Sequence, residues 1–515
     1  MNKITLYFTL FSLLMASCSA PESSLNVHVS KQIVPVLVRA GENPVLTIRI
    51  DNNTGKEVPV KSVTLTTEGM DKNRQDTISL YFTGTSDRFS PLVLFGNTVT
   101  GHSQASFRGD QVLKPGSNYF WASMRIAPET PLSGEINLRC KDIKLAGTRT
   151  VIRDTTPLTA SRIGYALRKR GDDGINSFRI PGLVRTTKGT LIAVYDIRHN
   201  SAADLQGDID IGVSRSLDNG QNWLPMQTAI DMKEWGGKPD VENGIGDPAI
   251  LVDRQTGRIW IAALWLHGHP GKRAWWASGP GLTPQQTGQL ILAYSDDEGA
   301  TWSEPVNITP QIKKPEWYLC FNGPGMGIST KDGTLVFAAQ FKDKDQIPHS
   351  TIIYSRDKGN SWHIGTGAKP NTTEAQVVEL ADGSLMLNMR DDNGGSRSVC
   401  VTRDLGKNWE EHPSSRSALP EPVCQASLIR ITLKDGSQAL AFFNPASTTE
   451  RENLTLKLSL DEGNSWPEKY HIPVYEPDGY GYSCLTQIDS TTLGVLYEGV
   501  GELYFQRISL PTVAF

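Results

Sequence analysis

The chain has 515 residues, of which 38% are hydrophobic and 21% are charged, and its formal net charge is −4. A chain of this length is too long for one ordinary domain, so we expect two. The 51 Lys+Arg residues are balanced by 55 Asp+Glu residues, which gives no bulk electrostatic reason to bind nucleic acid, and we expect no such partner. The 47 glycines and 30 prolines, without a long amphipathic helical pattern, favour a turn-rich β protein.

The first 20 residues have the features of a targeting segment. Lys3 precedes an apolar run from Ile4 to Met15, which is shorter than the roughly 20 residues that span a bilayer. Small residues before Cys18 resemble a bacterial lipoprotein cleavage box, although Met15 stands where Leu is usual. We expect residues 1–20 to be a signal peptide and the protein to be exported, as a periplasmic or outer-membrane lipoprotein, with surface exposure as a further alternative. A plain secretory signal is the alternative.

Five cysteines follow Cys18, an odd number at wide spacings. No C-x-x-C or Cys/His metal pattern is present, so buried free thiols are expected rather than a disulfide framework. The sequence predicts neither a metal nor a cofactor.

Residues 25–155 contain several alternating, strand-like segments, such as 45–50, 78–83 and 119–126. Strand signals at this spacing predict an antiparallel β-sandwich. This domain either binds glycan or only buttresses the rest of the chain. The Thr- and Pro-containing stretch 155–160 is interpreted as the linker.

The region from 160 to 515 contains a repeated motif, S/T-x-D-x-G-x-[S/T/N]-W. The five copies are 216–223, 295–302, 355–362, 402–409 and 459–466. Asp and Gly two residues apart favour a tight turn, so each copy is expected to be a hairpin turn whose Trp is buried against the next unit. A period of roughly 60 residues is typical of radial repeats and gives six units in this region. The sequence therefore predicts an all-β chain, with a six-bladed propeller after the sandwich and one unmarked blade closed by the first and last strands together.

The aspartates of these repeats are expected to be structural, because loop carboxylates commonly satisfy backbone amides. A different residue carries the first functional signal. Arg179 lies between Phe178 and the Ile180-Pro181 pair, in an apolar setting where an unpaired guanidinium would be costly. From these residues alone, a structural salt bridge is the main alternative to a functional role.

The motif Phe178-Arg179-Ile180-Pro181, followed by several of the repeats, resembles the bacterial sialidase (neuraminidase) family. The resemblance spans about 165–510. The chain is also similar to the members from gut Bacteroidetes that have an additional N-terminal β domain. The resemblance implies a six-bladed propeller and hydrolysis of terminal α-linked sialic acids with retention of configuration.

The family binds the substrate carboxylate with three arginines, and the resemblance assigns these roles to Arg179, Arg390 and Arg451. Planar guanidinium groups bind a carboxylate bidentately and stay charged at any working pH. Arg397 and Arg430 compete for these roles, but Arg397 follows two glycines in an expected loop and Arg430 lies in a strand-like run.

Tyr482 matches the family's nucleophile, and Glu374 matches the base that assists it. A phenol suits this role because a carboxylate nucleophile would be repelled by the carboxylate of the substrate. A free phenol has a pKa of about 10, so it needs a base. Tyr480 is the main competitor for Tyr482, and a surface carboxylate is the alternative interpretation of Glu374.

The acid/base catalyst is expected on the loop after Arg198. Asp204, Asp208 and Asp210 are the candidates, and Asp208 and Asp210 alternate with isoleucines as in a strand. Asp204 lies among small residues and is chosen. Arg198 itself resembles a pocket arginine near C4 of the sugar, with a strand-end surface charge as the alternative.

Three further positions are implied by the resemblance. Glu498 is expected to orient the first arginine. Asp247 resembles the aspartate near the C4 hydroxyl and the N-acetyl group. Trp265 is expected to line the N-acetyl pocket, although a buried structural Trp is equally compatible with the sequence.

The segment 267–289 interrupts the strand pattern and is expected to be a rim loop. Its aromatic pair, Trp275-Trp276, is compatible with covering the site, with contacting the leaving group or with structural packing.

The resulting hypothesis is an exo-α-sialidase that releases terminal sialic acids from glycoproteins, glycolipids and oligosaccharides. A trans-sialidase or anhydro-forming relative would share the same residues and differ in how the site excludes water. A glycan-binding propeller without catalysis is the non-enzymatic alternative, and it is disfavoured by the joint presence of Tyr482, Glu374, Asp204 and the three arginines.

Overall fold

The computed structural model describes residues 25–71, 75–101, 103–146, 151–154, 160–205, 207–266 and 274–511. The expected signal peptide with Cys18, and nearly all of the expected linker, lie outside these residues. In the described part of the chain, no helix is long and apolar enough to cross a membrane. The five cysteines that it contains are buried, as predicted, and Cys320, Cys400, Cys424 and Cys484 are free thiols.

The N-terminal part is built from eleven strands, most of which alternate buried and exposed residues. They are β1 (Leu25–Ser30), β2 (Val36–Val38), β3 (Asn43–Asn52), β4 (Val58–Glu68), β5 (Thr77–Gly84), β6 (Val99–Thr100), β7 (Gln104–Arg108), β8 (Val112–Leu113), β9 (Gly116–Arg125), β10 (Glu135–Leu145) and β11 (Val151–Asp154). One sheet has the order β11-β1-β3-β9-β5-β6, and β10-β4-β7 form the second. Apolar residues such as Ile48, Leu65 and Phe120 fill the space between the sheets, which is the expected sandwich.

From residue 160 onward, the described residues form six blades, each with at least four paired strands. Blade 6 is closed by β12 (Ser161–Arg168). Blade 1 contains β13 (Ser177–Arg185), β14 (Leu191–Arg198), β15 (Ile209–Ser216) and β16 (Gln227–Ile230); blade 2 contains β17 (Ile245–Val252), β18 (Ile259–Trp265), β19 (Gln289–Ser295) and β20 (Val306–Asn307). Between β18 and β19 lies α1 (Ala274–Ala277), and α2 (Thr309–Ile312) follows β20.

Blade 3 contains β21 (Leu319–Asn322), β23 (Ile328–Ser329), β24 (Leu335–Lys342), β25 (Pro348–Ser355), β26 (His363–Ile364) and β27 (Lys369–Pro370). The short β22 (Gly325–Met326), between β21 and β23, pairs in parallel with β17 of blade 2. Blade 4 contains β28 (Thr372–Glu379), β29 (Leu385–Asp391), β31 (Ser398–Thr402) and β32 (Glu410–Glu411), while β30 (Gly395–Ser396) pairs with β33 (Pro420–Glu421). Blade 5 contains β34 (Ser427–Thr432), β35 (Gln438–Pro445), β36 (Leu454–Ser459) and β37 (His471–Tyr475). Blade 6 contains β38 (Ser483–Asp489), β39 (Thr492–Glu498) and β40 (Leu503–Ser509).

The ring is closed by strands from both ends of the propeller sequence. β12 pairs antiparallel with β40, and Tyr165 lies opposite Phe505. The prediction that the unmarked blade joins the first and last strands is therefore confirmed, and the closure leaves blade 6 without an open break in its ladder.

Blade 6 also continues into the sandwich. β2 pairs in parallel with β12, and the start of β10 pairs antiparallel with the start of β12. Arg39 adds hydrogen bonds of 3.0 Å to the carbonyls of Ala166 and Leu167. The N-terminal region is therefore joined to the propeller by backbone pairing as well as by side chains.

The repeats form the turns between the third and fourth strands of blades 1 to 5. In the second repeat, Ser295 Oγ accepts a hydrogen bond of 2.9 Å from the Gly299 amide, and Asp297 accepts one of 2.9 Å from the Thr301 amide. The residue before the glycine and the glycine itself both have positive φ, for example Glu298 at 61° and Gly299 at 75°. The predicted hairpin turns are confirmed.

The prediction for the repeat tryptophans needs a correction, because they pack against the preceding blade rather than the following one. Trp223 of blade 1 contacts Phe505 of blade 6, with 5.2 Å between ring centroids, and Trp362 of blade 3 contacts Trp260 of blade 2 at 5.9 Å. The physical reason is the direction of the turn: a Cβ on Gly220 would lie 2.1 Å from the Phe505 ring, so the turn itself lies on the preceding blade.

The inner strands all run in the same direction, which gives the propeller two distinct ends. A cavity of about 920 Å³ opens where the inner strands end, near Arg185 and Val252. The residues implied as functional lie at the other end, where the inner strands begin.

Candidate active site

Three of the expected residues lie at backbone irregularities near the start of the inner strands. The pairing register shifts between Arg179 and Gly182 in blade 1, between Gly246 and Ala249 in blade 2, and between Thr372 and Ala375 in blade 4. These bulges contain Arg179, Asp247 and Glu374. Two non-glycine residues within them have positive φ, Ile180 at 58° and Asp247 at 56°. A β-branched residue in this region is strained, which is common where a backbone is held for function.

Glu498, at the end of β39, holds Arg179 and Tyr482 together. Its fully buried carboxylate accepts hydrogen bonds from Arg179 Nε at 3.0 Å and Nη2 at 3.3 Å. It also accepts the backbone N–H of Ile180 at 2.8 Å and that of Tyr482 at 3.0 Å. Burial alone would lower the pKa of Arg179, but Glu498 and Tyr482 raise it, so the guanidinium stays charged. The contact expected between Glu498 and Arg179 is present.

Tyr482, immediately before β38, meets Glu374 and Arg390. Its phenol donates a short hydrogen bond to Glu374, and Arg390 Nη1 lies 2.7 Å from the same carboxylate and 3.1 Å from the phenol oxygen. Burial raises the pKa of Tyr482 well above its usual value, and the charge of Glu374 adds to this while Arg390 opposes it. The phenol is therefore neutral at rest and already paired with a proton acceptor.

The other two arginines of the implied triad also face Tyr482. The guanidinium of Arg179 lies 5.4 Å from the Tyr482 ring centroid and that of Arg451 lies 5.7 Å from it. Arg451 comes from the loop between β35 and β36 and is fixed by the carbonyls of Tyr480 at 3.1 Å and Val423 at 2.9 Å. The fold thus brings all three arginines around one phenol.

Asp204 lies on the loop between β14 and β15 and is 68% exposed. Its carboxylate accepts hydrogen bonds from Arg179 at 3.2 Å and from Arg198 at 2.9 Å. The structure therefore places Asp204 at the edge of the arginine group, accessible to a ligand. Asp208 and Asp210, its competitors, lie at the base of the loop beside His199.

Asp196 is a residue that the sequence interpretation missed. It is fully buried on β14, accepts hydrogen bonds of 3.1 and 2.8 Å from Arg198, and accepts the N–H of Asp247 at 3.0 Å. It repeats the arrangement of Glu498: a buried carboxylate at the end of a second strand binds an arginine and the N–H of a positive-φ residue in the next blade. The signal was present, because Asp196 and Arg198 alternate on one strand and so lie on the same face.

The carboxyl groups of Asp196 and Asp247 share an electrostatic environment. Burial raises the pKa of Asp196 to about 6, although Arg198 opposes the shift. Burial also raises the pKa of Asp247 well above its usual value, and the charges of Asp196 and Glu374 raise it further. A raised pKa favours the protonated form of a carboxyl, and that form is able to donate a hydrogen bond.

The expectation that Trp265 lines a pocket is corrected by the structure. Its side chain has no exposed surface, its indole N–H donates to Asn243, and its ring packs edge-on against Trp235 at 4.7 Å. The reason is its position at the end of β18, where the ring faces the core between blades 1 and 2. The structural alternative given by the sequence describes Trp265.

The competing residues have other partners. Arg397 is buried and paired with Glu421 at 2.7 Å. Arg430 pairs with Glu462 and borders the cavity at the opposite end of the propeller. Tyr480 places its ring 4.2 Å from the guanidinium of Arg179, so it lies at the site but stacks on an arginine.

One group of described residues has the composition of a metal site. His199, Asp208 and Asp210 place their ligand atoms within 4.8 Å of one another. His199 Nε2 is also 2.9 Å from Asp210, which is an ordinary His–Asp contact. This group lies at the base of the loop that carries Asp204 and does not reach Tyr482 through any of these contacts.

Two family models match the chain. Residues 189–495 match the BNR repeat-like domain, and residues 24–149 match the N-terminal domain of BNR-repeat neuraminidase. The chain is 41% identical to a sialidase of Bacteroides fragilis, over the whole of both chains. It is 32% identical to an anhydrosialidase of Macrobdella decora, covering 63% of this chain and 58% of that protein.

The known structures agree with the sequence comparison. The structure of a Hadza microbial sialidase matches with a TM-score of 0.89 and 42% identity, covering 95% of this chain and all of that one. The match spans both the sandwich and the propeller. The chain therefore belongs to the BNR-repeat neuraminidase family, whose named members are sialidases and thus glycoside hydrolases.

Proposed function

We propose that the protein is a retaining exo-α-sialidase that acts through a tyrosine nucleophile. The observation that carries the proposal is the meeting of Tyr482, Glu374 and three arginines at one end of the propeller. The named activity of the relatives supports the sialidase part of the proposal, and the contacts of Tyr482 support the mechanistic part.

The three arginines suit a substrate that carries a carboxylate on its reacting carbon. Several guanidinium groups close together bind a planar anion and fix its orientation. The buried Glu498 holds Arg179 in place before substrate arrives, so little reorganisation is needed on binding. Terminal sialic acid presents such a carboxylate next to the glycosidic bond.

In the first step the bond between the anomeric carbon and the leaving oxygen breaks. Asp204 gives its proton to that oxygen, while the Tyr482 oxygen forms a bond to the anomeric carbon and its proton passes to Glu374. In the second step Asp204 takes a proton from water, which attacks the anomeric carbon. The phenol leaves and regains its proton from Glu374. Two displacements at one carbon retain its configuration.

The substrate classes in the proposal are sialylated glycoproteins, glycolipids and oligosaccharides. The exposed position of Asp204, on the leaving-group side, is compatible with a large glycan that continues into solvent. The N-terminal sandwich is proposed to buttress blade 6, to which it is joined by strand pairing, with glycan binding as the alternative. On a glycan array, binding of the Tyr482→Phe variant to glycans without sialic acid would indicate that the sandwich binds glycan, and its absence would favour the buttressing role.

Export and attachment through a lipid on Cys18 remain a proposal from the sequence. Metabolic labelling with a radioactive fatty acid tests it, with Cys18→Ser as the matched control. Label in the wild type and none in the variant supports attachment. No label in either supports a plain secretory signal.

A fluorogenic sialoside assay tests the activity directly. We expect turnover by the wild type and a loss of at least about a thousandfold in Tyr482→Phe, because phenylalanine lacks the oxygen that bonds to the anomeric carbon. A wild type without turnover, or a fully active Tyr482→Phe, contradicts the proposal. The anhydro-forming alternative is favoured by one relative, the anhydrosialidase. Proton NMR of the first product separates the two, since hydrolysis with retention releases α-sialic acid.

A further inference from the structure

Trp276 is unlike the other tryptophans of the chain. Of 12 tryptophans, it alone is mostly exposed, with 67% of its surface accessible. An exposed indole presents a large apolar surface that a ligand is able to cover. The contacts around the ring show whether it is held in a fixed position, as a binding surface requires.

The ring of Trp276 is supported from below. The ammonium of Lys342, a buried residue at the end of β24, lies 4.7 Å from the Trp276 ring and 5.1 Å from the Trp275 ring. Lys342 also donates a hydrogen bond of 3.0 Å to the Trp275 carbonyl, and Trp275 packs against Phe321 at 6.2 Å. A cation beneath an aromatic face and a bond to the adjacent backbone fix the ring while its other surface faces solvent.

The helix α1 that carries Trp276 lies at the end of the propeller where the candidate active site is found. It belongs to the connection between the second and third strands of blade 2, as Asp204 belongs to that of blade 1. Leu205, next to Asp204, and Trp275 share one hydrophobic cluster. Phe321, which packs against Trp275, is followed by Asn322, and the Asn322 amide donates a hydrogen bond of 2.7 Å to the carbonyl of Asp247.

We propose that Trp276 is a stacking platform for the sugar that leaves when the sialoside is cleaved. The inference rests on the proposed function and names the second subsite of the same site. In that mechanism Asp204 protonates the linking oxygen, so the leaving sugar emerges on the side of Asp204, where α1 lies. A pyranose presents an apolar C–H face that packs on an indole, while its hydroxyls remain in water. The ligand class is therefore an oligosaccharide with at least one hexose beyond the sialic acid.

The test compares two substrates in the full-length protein. Sialyllactose contains the leaving hexose, whereas methyl α-sialoside lacks it. We expect Trp276→Ala to lower kcat/KM for sialyllactose by about 5- to 20-fold, because an aromatic contact contributes about 1 to 2 kcal/mol. For methyl α-sialoside the change should stay within about twofold. Trp276→Phe retains an aromatic face and should recover most of the loss.

Leu217→Ala is the matched control, because Leu217 is 68% exposed and lies in a repeat turn away from the site. It should leave both substrates unaffected. Equal losses for both substrates in Trp276→Ala, or no loss for either, would overturn the platform. A wild type that cleaves neither substrate would instead overturn the proposed function.

Saturation-transfer NMR gives a second readout that does not depend on turnover. In the Tyr482→Phe background, the galactose protons of bound sialyllactose should receive saturation, and Trp276→Ala should remove it while the sialic acid protons keep theirs. Unchanged galactose saturation in Trp276→Ala would contradict the platform.

Discussion

Tyr482 donates its phenolic hydrogen bond to Glu374, although 108 residues of sequence separate them. Tyr482 precedes the inner strand of blade 6, and Glu374 begins that of blade 4. The contact exists only because the ring is closed, since closure places the starts of all inner strands around one axis. The stability of the ring and the geometry of the proposed chemistry are therefore linked.

Replacement of Glu498 should impair both the binding and the chemistry. Glu498→Gln keeps the shape of the side chain but removes the charge that pairs with buried Arg179. It also replaces one acceptor oxygen with an NH₂ donor, at a place where both oxygens accept the backbone N–H groups of Ile180 and Tyr482. We expect kcat/KM for a fluorogenic sialoside to fall by about 10- to 100-fold. Glu502→Gln, which loses only a contact with Tyr504, is the control. Equal activity of Glu498→Gln and wild type would contradict the positioning role.

Asp204 should matter most when the leaving group needs a proton. In Asp204→Asn, kcat/KM for sialyllactose should fall by about 10²- to 10⁴-fold, but far less for a nitrophenyl sialoside whose leaving group is stable as an anion. Asp208→Asn alters a carboxylate of the same loop and should have little effect on either. A similar loss with both substrates would assign Asp204 a structural role.

Asp196 should impose a pH dependence on substrate binding. Its pKa is raised to about 6, chiefly by burial, so it gains a proton as the pH falls through 6 and its ion pair with Arg198 weakens. We expect KM to rise below pH 6 in the wild type. In Asp196→Asn, KM should be high throughout and should lose this step. A step that persists in the variant would assign the titration to another group.

The same raised pKa has a predictable sign for stability. A carboxyl whose pKa is higher in the folded state than in the unfolded state stabilises the fold fully below its unfolded pKa. For Asp196, this stabilisation is lost as the pH rises through about 6. Between pH 4 and 6, urea denaturation should show that the free energy of unfolding declines less steeply in Asp196→Asn.

Lys457 should make the protein more stable at alkaline pH. It is buried near Phe442, and burial lowers its pKa from 10.5 to about 7. The unfolded chain binds this proton more tightly, so the free energy of unfolding should rise between pH 7 and 10.5, by roughly 1 kcal/mol per pH unit. Urea denaturation at several pH values measures the slope. Lys457→Met should flatten it and Lys434→Met, at an exposed position, should not; an unchanged slope in Lys457→Met would contradict the assignment.

The sequence was sufficient for the architecture because the repeats are local. Each turn depends on Asp, Gly and a hydroxyl within a few residues, and their number and spacing determine the blades. The closure between β12 and β40 followed from the absence of a sixth repeat. The predicted packing direction of Trp223 was wrong, because that direction depends on the path of the chain across two blades.

The site was predictable only where a motif marks it. Arg179 has a distinctive sequence context, and its partner Glu498 follows from the family resemblance. For Trp265, the surrounding sequence is compatible with a pocket residue or a core residue. Only its packing against Trp235 in the structure shows that it belongs to the core. The alternation of Asp196 and Arg198 predicts only that both lie on one face of a strand, and the role of Asp196 depends on the N–H of Asp247 in the next blade.

Covalent trapping tests the central claim most directly. A 2,3-difluorinated sialic acid slows the release of a glycosyl-enzyme, so incubation followed by digestion and mass spectrometry locates the adduct. The account predicts one adduct on the peptide that contains Tyr482, absent in Tyr482→Phe and present in Tyr480→Phe. An adduct on Glu374 or Asp204, or none in an enzyme that still turns over sialosides, would contradict it.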